Sequence, residues 1–335
     1  MKKNVPLVSI ITPCYNGEKC ISRLIESILN QTYSNIEFII INDGSTDDSE
    51  RIILSYEQAF IDKGIIFKYI KQENKGLGGA INSGLKVFTG DFICWPDADD
   101  YLELNSIEER VNFLLQYPHY AVVTSNAYVR KADDLDNCRL FVSSNNINVF
   151  KEEQFMLLLD GYGPFCPGCH MARASMFLDV NPDRSIYPAR RGQNWQLLLP
   201  LYYKYKRGFL DKPLYNYIDN PGSMSKDASL DDEIFRTYEH ETIINNTLDM
   251  IEKVQNVNLS KEKQHIKERY INERLNIAIN YDNRCLYLEQ YKEKQPLGVT
   301  RNDKLTYLRM RIGLIYWLNK FYKKIRLIMY KLFKG

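Results

Sequence analysis

Three aspartates stand within four residues, Asp97, Asp99 and Asp100, in the run Trp95-Pro96-Asp97-Ala98-Asp99-Asp100. Carboxylates packed so closely repel one another unless a cation neutralises them, and hard divalent ions take such oxygen ligands. A solvated acidic turn in which Asp100 caps the next helix is the plain alternative. Three other polar loops carry chemistry of a matching kind: Thr12–Glu18, Asn42–Asp47 and Asn74–Gly84. Asp43 can accept a hydrogen bond from a base or ribose, and Tyr15 can stack on a base. Glycines 76, 78 and 79 would let backbone amides approach a phosphate. There is no GxGxxG after the first apolar run and no GxxxxGK[ST], which argues against dinucleotide-dehydrogenase and P-loop readings.

The elements that must position these loops are legible from periodicity. Leu7–Thr12, Ile36–Ile41, Ile65–Ile70 and Phe92–Trp95 are apolar runs of strand length. Helical spacing appears at Cys20–Asn30 and Ala80–Phe88. A third helix, capped by Thr46 or Asp47, is predicted through Ile52, Ile53, Tyr56 and Phe60. Continuous apolar strands alternating with amphipathic helices predict a parallel sheet covered on both faces, with ligands at the carboxyl ends of its strands. All four polar loops follow predicted strands. Beyond Asp100 the pattern predicts helices over Ser106–Gln116, Glu152–Leu159 and Asn194–Tyr205. Extended segments are predicted over Ala121–Val129, Phe165–Ala172 and Pro213–Ile218, and mostly helix from Asp231 to about Tyr291.

The 335 residues are of globular composition, 44% hydrophobic and 26% charged, which excludes a disordered or collagen-like chain. The formal charge of +2 conceals an asymmetry. Residues 301–335 hold ten basic residues and one acid, Asp303, leaving 34 basic and 41 acidic residues over 1–300. An acidic body argues against nucleic acid as a partner, because the positive charge should then line the folded domain. Seven cysteines, at 14, 20, 94, 138, 166, 169 and 285, suit reduced thiols in a cytoplasmic compartment. Cys166-Pro167-Gly168-Cys169-His170 lacks the second ligand pair that a zinc site needs. The isolated His119, His240 and His265 read as structural or exposed. The amino terminus shows no signal-peptide core, and no run of 18 apolar residues predicts a transmembrane helix.

Taken together, these segments resemble the family 2 glycosyltransferases, which have the GT-A fold. The motifs are Val8-Ser9-Ile10-Ile11-Thr12-Pro13 with Tyr15-Asn16, and Gln31-Thr32-Tyr33 leading to Glu37 and Asn42-Asp43-Gly44-Ser45-Thr46-Asp47. They continue with Asn74-Lys75-Gly76 through Asn82-Ser83-Gly84, then Gly90-Asp91, and end on Asp97-Ala98-Asp99-Asp100. The resemblance runs from about Val5 to Ser225. It implies an α/β, GT-A (Rossmann-like), mostly parallel sheet with flanking helices, followed by a helical C-terminal region. The implied domains are 1–225 for the GT-A body, 226–300 for a helical extension and 301–335 for a basic tail. The implied reaction is inverting hexosyl transfer from a UDP-sugar to a glycan or lipid-linked acceptor, with Mn²⁺ or Mg²⁺ as cofactor. Thr12, Pro13, Tyr15, Asn16, Asp43, Lys75, Gly76, Asp97 and Ala98 would line the nucleotide site. Asp99 would bind the metal with Asp97, while Asp99 and Asp100 would serve the catalytic centre with Gln193 and Asn194. Trp195 and Arg191 would meet the acceptor.

The sequence also departs from the family pattern. Where the family presents its base in a Gly-Glu-Asp-Trp segment, this chain has Gly192-Gln193-Asn194-Trp195. An amide takes no proton at neutral pH, so Gln193 and Asn194 can orient an acceptor but cannot deprotonate it. Three explanations stand open: another carboxylate (Asp99, Asp100 or Asp211) is the base, a dissociative transfer needs only a weak base or water, or the protein binds donor without catalysis. The plain alternative for the two amides is capping of the following helix. Ile81 stands where the family often has an arginine, a contact that Lys75, Arg190 or Arg191 could supply. Asn220 stands where a histidine is common, with Ser223 and Ser225 beside it. A nucleotidyltransferase is the remaining rival, though no basic glycine-rich loop for a triphosphate is present.

The tail has its own signature. Leu314, Leu318, Phe321, Ile325, Ile328 and Leu332 give a helix one apolar face, flanked by Lys320, Lys323, Lys324, Arg326, Lys331 and Lys334. With Trp317 and several tyrosines and phenylalanines, this composition suits a helix lying in a membrane interface. The expected partner is an anionic membrane surface, placing the protein peripherally on the inner face of the cell membrane to build cell-surface polysaccharide. A helix packed on the catalytic domain or on a second subunit in a homodimer is the alternative.

Overall fold

Residues 8–14, rich in Val, Ile and Thr, pair edge to edge with a strand on each side, and their apolar side chains on both faces require helices to cover both. The computed structural model describes residues 5–143, 146–162, 166–220 and 229–311. Strands β1 (Val8–Cys14), β2 (Ile36–Asp43), β3 (Ile66–Gln72) and β4 (Phe92–Cys94) are joined in parallel, β1 lying between β2 and β4. The register sets Thr12 beside Ile40 and Cys14 beside Asn42, so β1 and β2 end level.

The sheet continues with β5 (Tyr101–Leu102), β6 (Tyr120–Lys131), β7 (Asp134–Leu140), β8 (His170–Arg173) and β9 (Lys206–Asp219), in the order β3-β2-β1-β4-β8-β6-β9-β5 with β7 paired to β6. Its second half is mixed. β8 is antiparallel to β4 and β6, β5 is antiparallel to β9, and β9 is parallel to β6. The parallel alternation read over the first hundred residues is present in the first four strands, and the antiparallel pairs lie after β4.

On one face, α1 (Ile21–Leu29) buries Ile21, Leu24, Ile25 and Ile28 in a core shared with Val8, Ile10, Phe38 and Ile40. The predicted single helix through Phe60 is two, α2 (Ser49–Ser55) and α3 (Glu57–Asp62), which complete that face through Ile53 and Phe60. Neither expected cap is the residue flanking α2, which is Asp48; Asp47 instead accepts from Ser49 N at 3.0 Å, and Thr46 N donates to Asn16 Oδ1. Each fully buried Ile or Leu contributes about 1.5–3 kcal/mol relative to exposure. On the opposite face lies α4 (Gly76–Val87), where Gly84 rests against Ile11 and Ile41.

The glycines expected to open a phosphate loop are thus the first turn of α4. At Gly78 the reason for glycine is close packing. A Cβ on Gly78 would stand 2.8 Å from Ala189 N and from Tyr187 O, and Gly78 N donates to Ala189 O at 2.8 Å. One turn later Asn82 forms a reciprocal amide pair with Ile186, Nδ2 donating to the carbonyl at 2.8 Å and Oδ1 accepting from the backbone N–H at 2.7 Å.

The remaining helices are α5 (Ser106–Gln116), α6 (Phe155–Leu159), α7 (Ala174–Val180), α8 (Gln193–Lys204), α9 (Leu230–Gln255), α10 (Ser260–Asn280), α11 (Arg284–Lys294) and α12 (Arg301–Arg311). The chain divides into two compact units, 1–226 with 243–258, and 227–242 with 259–335. The second has its own core, in which Ile271, Leu275, Tyr287, Tyr291 and Met310 pack together. Arg274 donates to Gln290 Oε1 and Glu241 Oε2 at 2.7 Å each, and Lys294 pairs with Asp303 at 2.7 Å. Tyr307 stacks on Tyr291 with centroids 4.2 Å apart. Residue 301 is therefore no structural boundary: the first third of the basic tail is α12, part of this core. The amphipathic stretch from Ile312 onward lies outside the described residues. Among the described residues no helix is long and apolar enough to cross a membrane.

Candidate active site

The neighbouring strands β2, β1 and β4 deliver three of the polar loops to one edge of the sheet. Thr12, fully buried, donates from Oγ1 to Pro96 O at 3.2 Å and so ties the end of β1 to the acidic turn. Asn16, in the left-handed region at φ 51°, links its loop to the next through Asn16 N to Ser45 Oγ and Thr46 N to Asn16 Oδ1. Beside it Tyr15 is 55% exposed, with its ring available for stacking. Asp43 is buried, and both of its hydrogen bonds fall on Oδ1, from Gln72 Nε2 at 2.6 Å and Lys75 N at 2.9 Å. Lys75 is exposed at the start of α4, followed by Gly76 at φ 73°.

The acidic turn brings Asp97, Asp99 and Asp100 together, with carboxylate oxygens within 4.8 Å of one another. The three are not equivalent. Asp100 is buried, accepting from Tyr215 Oη on Oδ2 at 2.8 Å and from Ile218 N on Oδ1 at 2.7 Å. Asp99 accepts from Asn220 Nδ2 on Oδ2 at 2.8 Å, while Arg23 Nη2 holds its carbonyl at 2.7 Å. Asp97 takes a long contact from Gln193 Nε2 on Oδ1, 3.4 Å, and its N–H donates to Tyr215 Oη at 3.3 Å. Burial, then the charge of Asp99, pushes Asp97 up to about 7, and burial with both neighbouring carboxylates pushes Asp100 well above the usual range. Ala98, between them, packs its methyl on the core below.

Gly192, at φ 79°, turns the chain into α8, so Gln193 and Asn194 open that helix. Both are buried. Asn194 Oδ1 accepts from the buried indole of Trp95 at 2.8 Å, and Trp95 stacks on His170. Arg191 and Trp195 flank the pair, half-buried. Asp211, a candidate base by sequence, lies outside the acidic cluster: it is exposed on β9 and accepts from Asn126 Nδ2 at 2.9 Å. Ser223 and Ser225 lie outside the described residues.

Sequence reasoning missed Tyr215. It is a fully buried tyrosine in a strand of mixed polarity, and burying its hydroxyl demands a polar partner. That demand was the only available signal, and it could not name the partner. Cys166 and Cys169, hydrogen-bonded to each other, flank a turn in which Arg110 Nη1 holds Gly168 O at 2.7 Å. All seven cysteines are free.

A model of glycosyl transferase family 2 matches residues 9–180. EpsE of Bacillus subtilis, named as a glycosyltransferase, is 32% identical over 212 residues, covering 63% of this chain and 72% of that protein. An uncharacterised glycosyltransferase of Rickettsia prowazekii is 42% identical over 130 residues, 38% of this chain, and the match spans only 39% of that relative's length. Among solved structures, S. aureus TarS 1–349 in complex with UDP-GlcNAc superposes with a TM-score of 0.55 at 17% identity, covering 88% of this chain and 93% of that one. At that identity the likeness speaks to the fold, which is GT-A.

Proposed function

The chain belongs to glycosyl transferase family 2, and we propose that it moves a hexosyl group from a UDP-sugar to a hydroxyl of a glycan or lipid-linked acceptor, with inversion, in cell-surface polysaccharide synthesis. The observation that carries this reading is the acidic turn at the end of β4, tied by Thr12 to the strand whose loop holds Tyr15. TarS has been crystallised with UDP-GlcNAc and with UDP, which supports a UDP-linked donor.

The residues fit a hard divalent ion, Mn²⁺ or Mg²⁺. The cluster offers oxygen alone, and with Asp100 bonded twice to β9, Asp97 and Asp99 would hold the ion. Such an ion supplies positive charge beside the diphosphate as the leaving group becomes more negative. The chain's own residues do the rest. Tyr15 stacks on the base, Asp43 accepts from the nucleoside, and Lys75 adds positive charge at the start of α4. Gln193 and Asn194, held by Asp97 and Trp95, orient the acceptor. Their amides take no proton, so the acceptor's proton passes to a carboxylate or to water. Residues 312–335 hold the protein to an anionic membrane surface on its cytoplasmic side.

The test is release of UDP from a panel of UDP-sugars, with and without Mn²⁺ and with and without acceptor sugars. Metal-dependent UDP release is expected. The amides at 193 and 194 favour one second reading, a donor-binding protein without catalysis, and UDP binding with neither transfer nor hydrolysis would select it. Pyrophosphate release from a nucleoside triphosphate would point to nucleotidyl transfer instead.

A further inference from the structure

We infer that Tyr215 is a positioning residue that sets the spacing of Asp97 and Asp99 by bracing the acidic turn from behind; the inference rests on the reading of that turn as the metal and diphosphate site. The turn is closed by a bond from Asp100 N to Asp97 O at 3.3 Å, and one hydroxyl touches both of its ends. Tyr215 Oη donates to Asp100 Oδ2 at 2.8 Å and accepts from Asp97 N at 3.3 Å. Three residues along β9, Ile218 N holds the other oxygen of Asp100 at 2.7 Å. Asp100 is thereby fixed at both oxygens and turned into the fold, while Asp97 and Asp99 are only partly buried.

The tyrosine is itself held in place. A Cβ on Gly168 would lie 1.9 Å from Tyr215 Cε2, so the ring occupies space that any larger residue at 168 would fill. The Gly168 carbonyl is gripped by Arg110 Nη1 at 2.7 Å. Arg110 is fully buried and anchored on α5, with Nε to Ser106 O at 3.1 Å and Nη2 to Ser106 Oγ at 2.8 Å. The Cys-Pro-Gly-Cys segment, which matches no zinc or redox pattern, thus serves as the seat of the ring whose hydroxyl spans the acidic turn. Groups that orient metal ligands without touching the metal typically change metal affinity by roughly 10- to 100-fold when removed.

The test is Tyr215→Phe in the full chain, which keeps the ring on Gly168 and removes only the hydroxyl. Mn²⁺ affinity, read by electron paramagnetic resonance with UDP present, should fall on the order of tenfold or more. Donor KM should rise in step, with kcat changed less. Gly168→Ala, which displaces the ring without altering a polar group, should act in the same direction. Asp99→Ala is the control. If Asp99→Ala abolishes Mn²⁺ binding while Tyr215→Phe binds as wild type, the positioning role is overturned and the metal site stands, even if Tyr215→Phe melts at a lower temperature. If Asp99→Ala also binds normally, both the inference and the metal site fail.

Discussion

The indole N–H of Trp95 donates to Oδ1 of Asn194 at 2.8 Å, 99 residues away in the chain. This bond fixes which end of the amide faces inward, because an indole nitrogen is only a donor and so selects the oxygen. Asn194 is thereby held with its oxygen toward the indole at the start of α8.

Removing that group should affect the acceptor and spare the donor. Asn194→Ala is expected to lower kcat about tenfold and raise acceptor KM, consistent with the loss of one or two buried hydrogen bonds at ~1 kcal/mol each. Donor hydrolysis without acceptor should be unchanged. Steady-state kinetics with each substrate varied checks this, and an unaltered acceptor KM would remove Asn194 from the acceptor site.

Asp99 should differ in kind from Asn220, whose amide holds it. Asp99→Ala is expected to abolish the enhancement of UDP binding by Mn²⁺. Asn220→Ala, which removes one hydrogen bond to Asp99, should weaken that binding by about tenfold. Titration calorimetry with and without Mn²⁺ measures both. Equal UDP affinity in the two conditions for the wild-type protein would leave Asp99 with no metal to bind.

A separate carboxylate bears on stability. Glu37 is buried on β2, bonded to Lys68 Nζ, Ser9 Oγ, Thr89 N and Thr89 Oγ1. Burial alone would raise its pKa, but the four donors outweigh it and hold the carboxyl below the ordinary value. A folded pKa below the unfolded one contributes stability that is complete above the unfolded value, about 4.3, and lost as pH falls through the folded one. Glu37→Gln should cost roughly 1–3 kcal/mol at neutral pH. In urea titrations the gap between wild type and variant should narrow as pH drops from about 6 toward about 3. A gap that stays constant would mean that Glu37 carries no charge-linked stability.

The membrane proposal is tested at residue 312. Tyr307 and Met310 belong to the second core, so a cut within α12 would damage folding and confuse the result. Deleting 312–335 should release the protein from vesicles containing anionic lipid while donor hydrolysis persists, and binding of the intact chain should weaken with added salt. Equal sedimentation of both proteins with the vesicles would place the anchor elsewhere.

Particular elements show what a sequence discloses. The strands β1, β2 and β4 are readable because burial on both faces leaves a continuous apolar run, and the loops they deliver are readable from their polar residues. β5 is two residues long, and β7, Asp134–Leu140, is polar and exposed, so neither carries a periodic signal. Gly78 looks like loop because glycine disfavours helix, yet the close approach of the Tyr187 and Ala189 backbone leaves no room for a side chain there and overrides propensity. Asp99 and Asp100 are indistinguishable in the sequence. Only the reach of Tyr215 and Ile218 from β9, more than a hundred residues later, separates them.

The clasp between α4 and residues 186–189 bears on how this enzyme could be re-engineered. Residues 186–189 run within a few positions into Gly192-Gln193-Asn194, so the stretch of chain leading into α8 is stitched by Asn82 and Gly78 to the helix behind Asp43. A segment grafted from a relative to change the acceptor would have to lie flat across Gly78 and offer its backbone to Asn82. The segment before α8 is consequently not a freely interchangeable cassette: a successful graft must travel with the α4 residues that receive it.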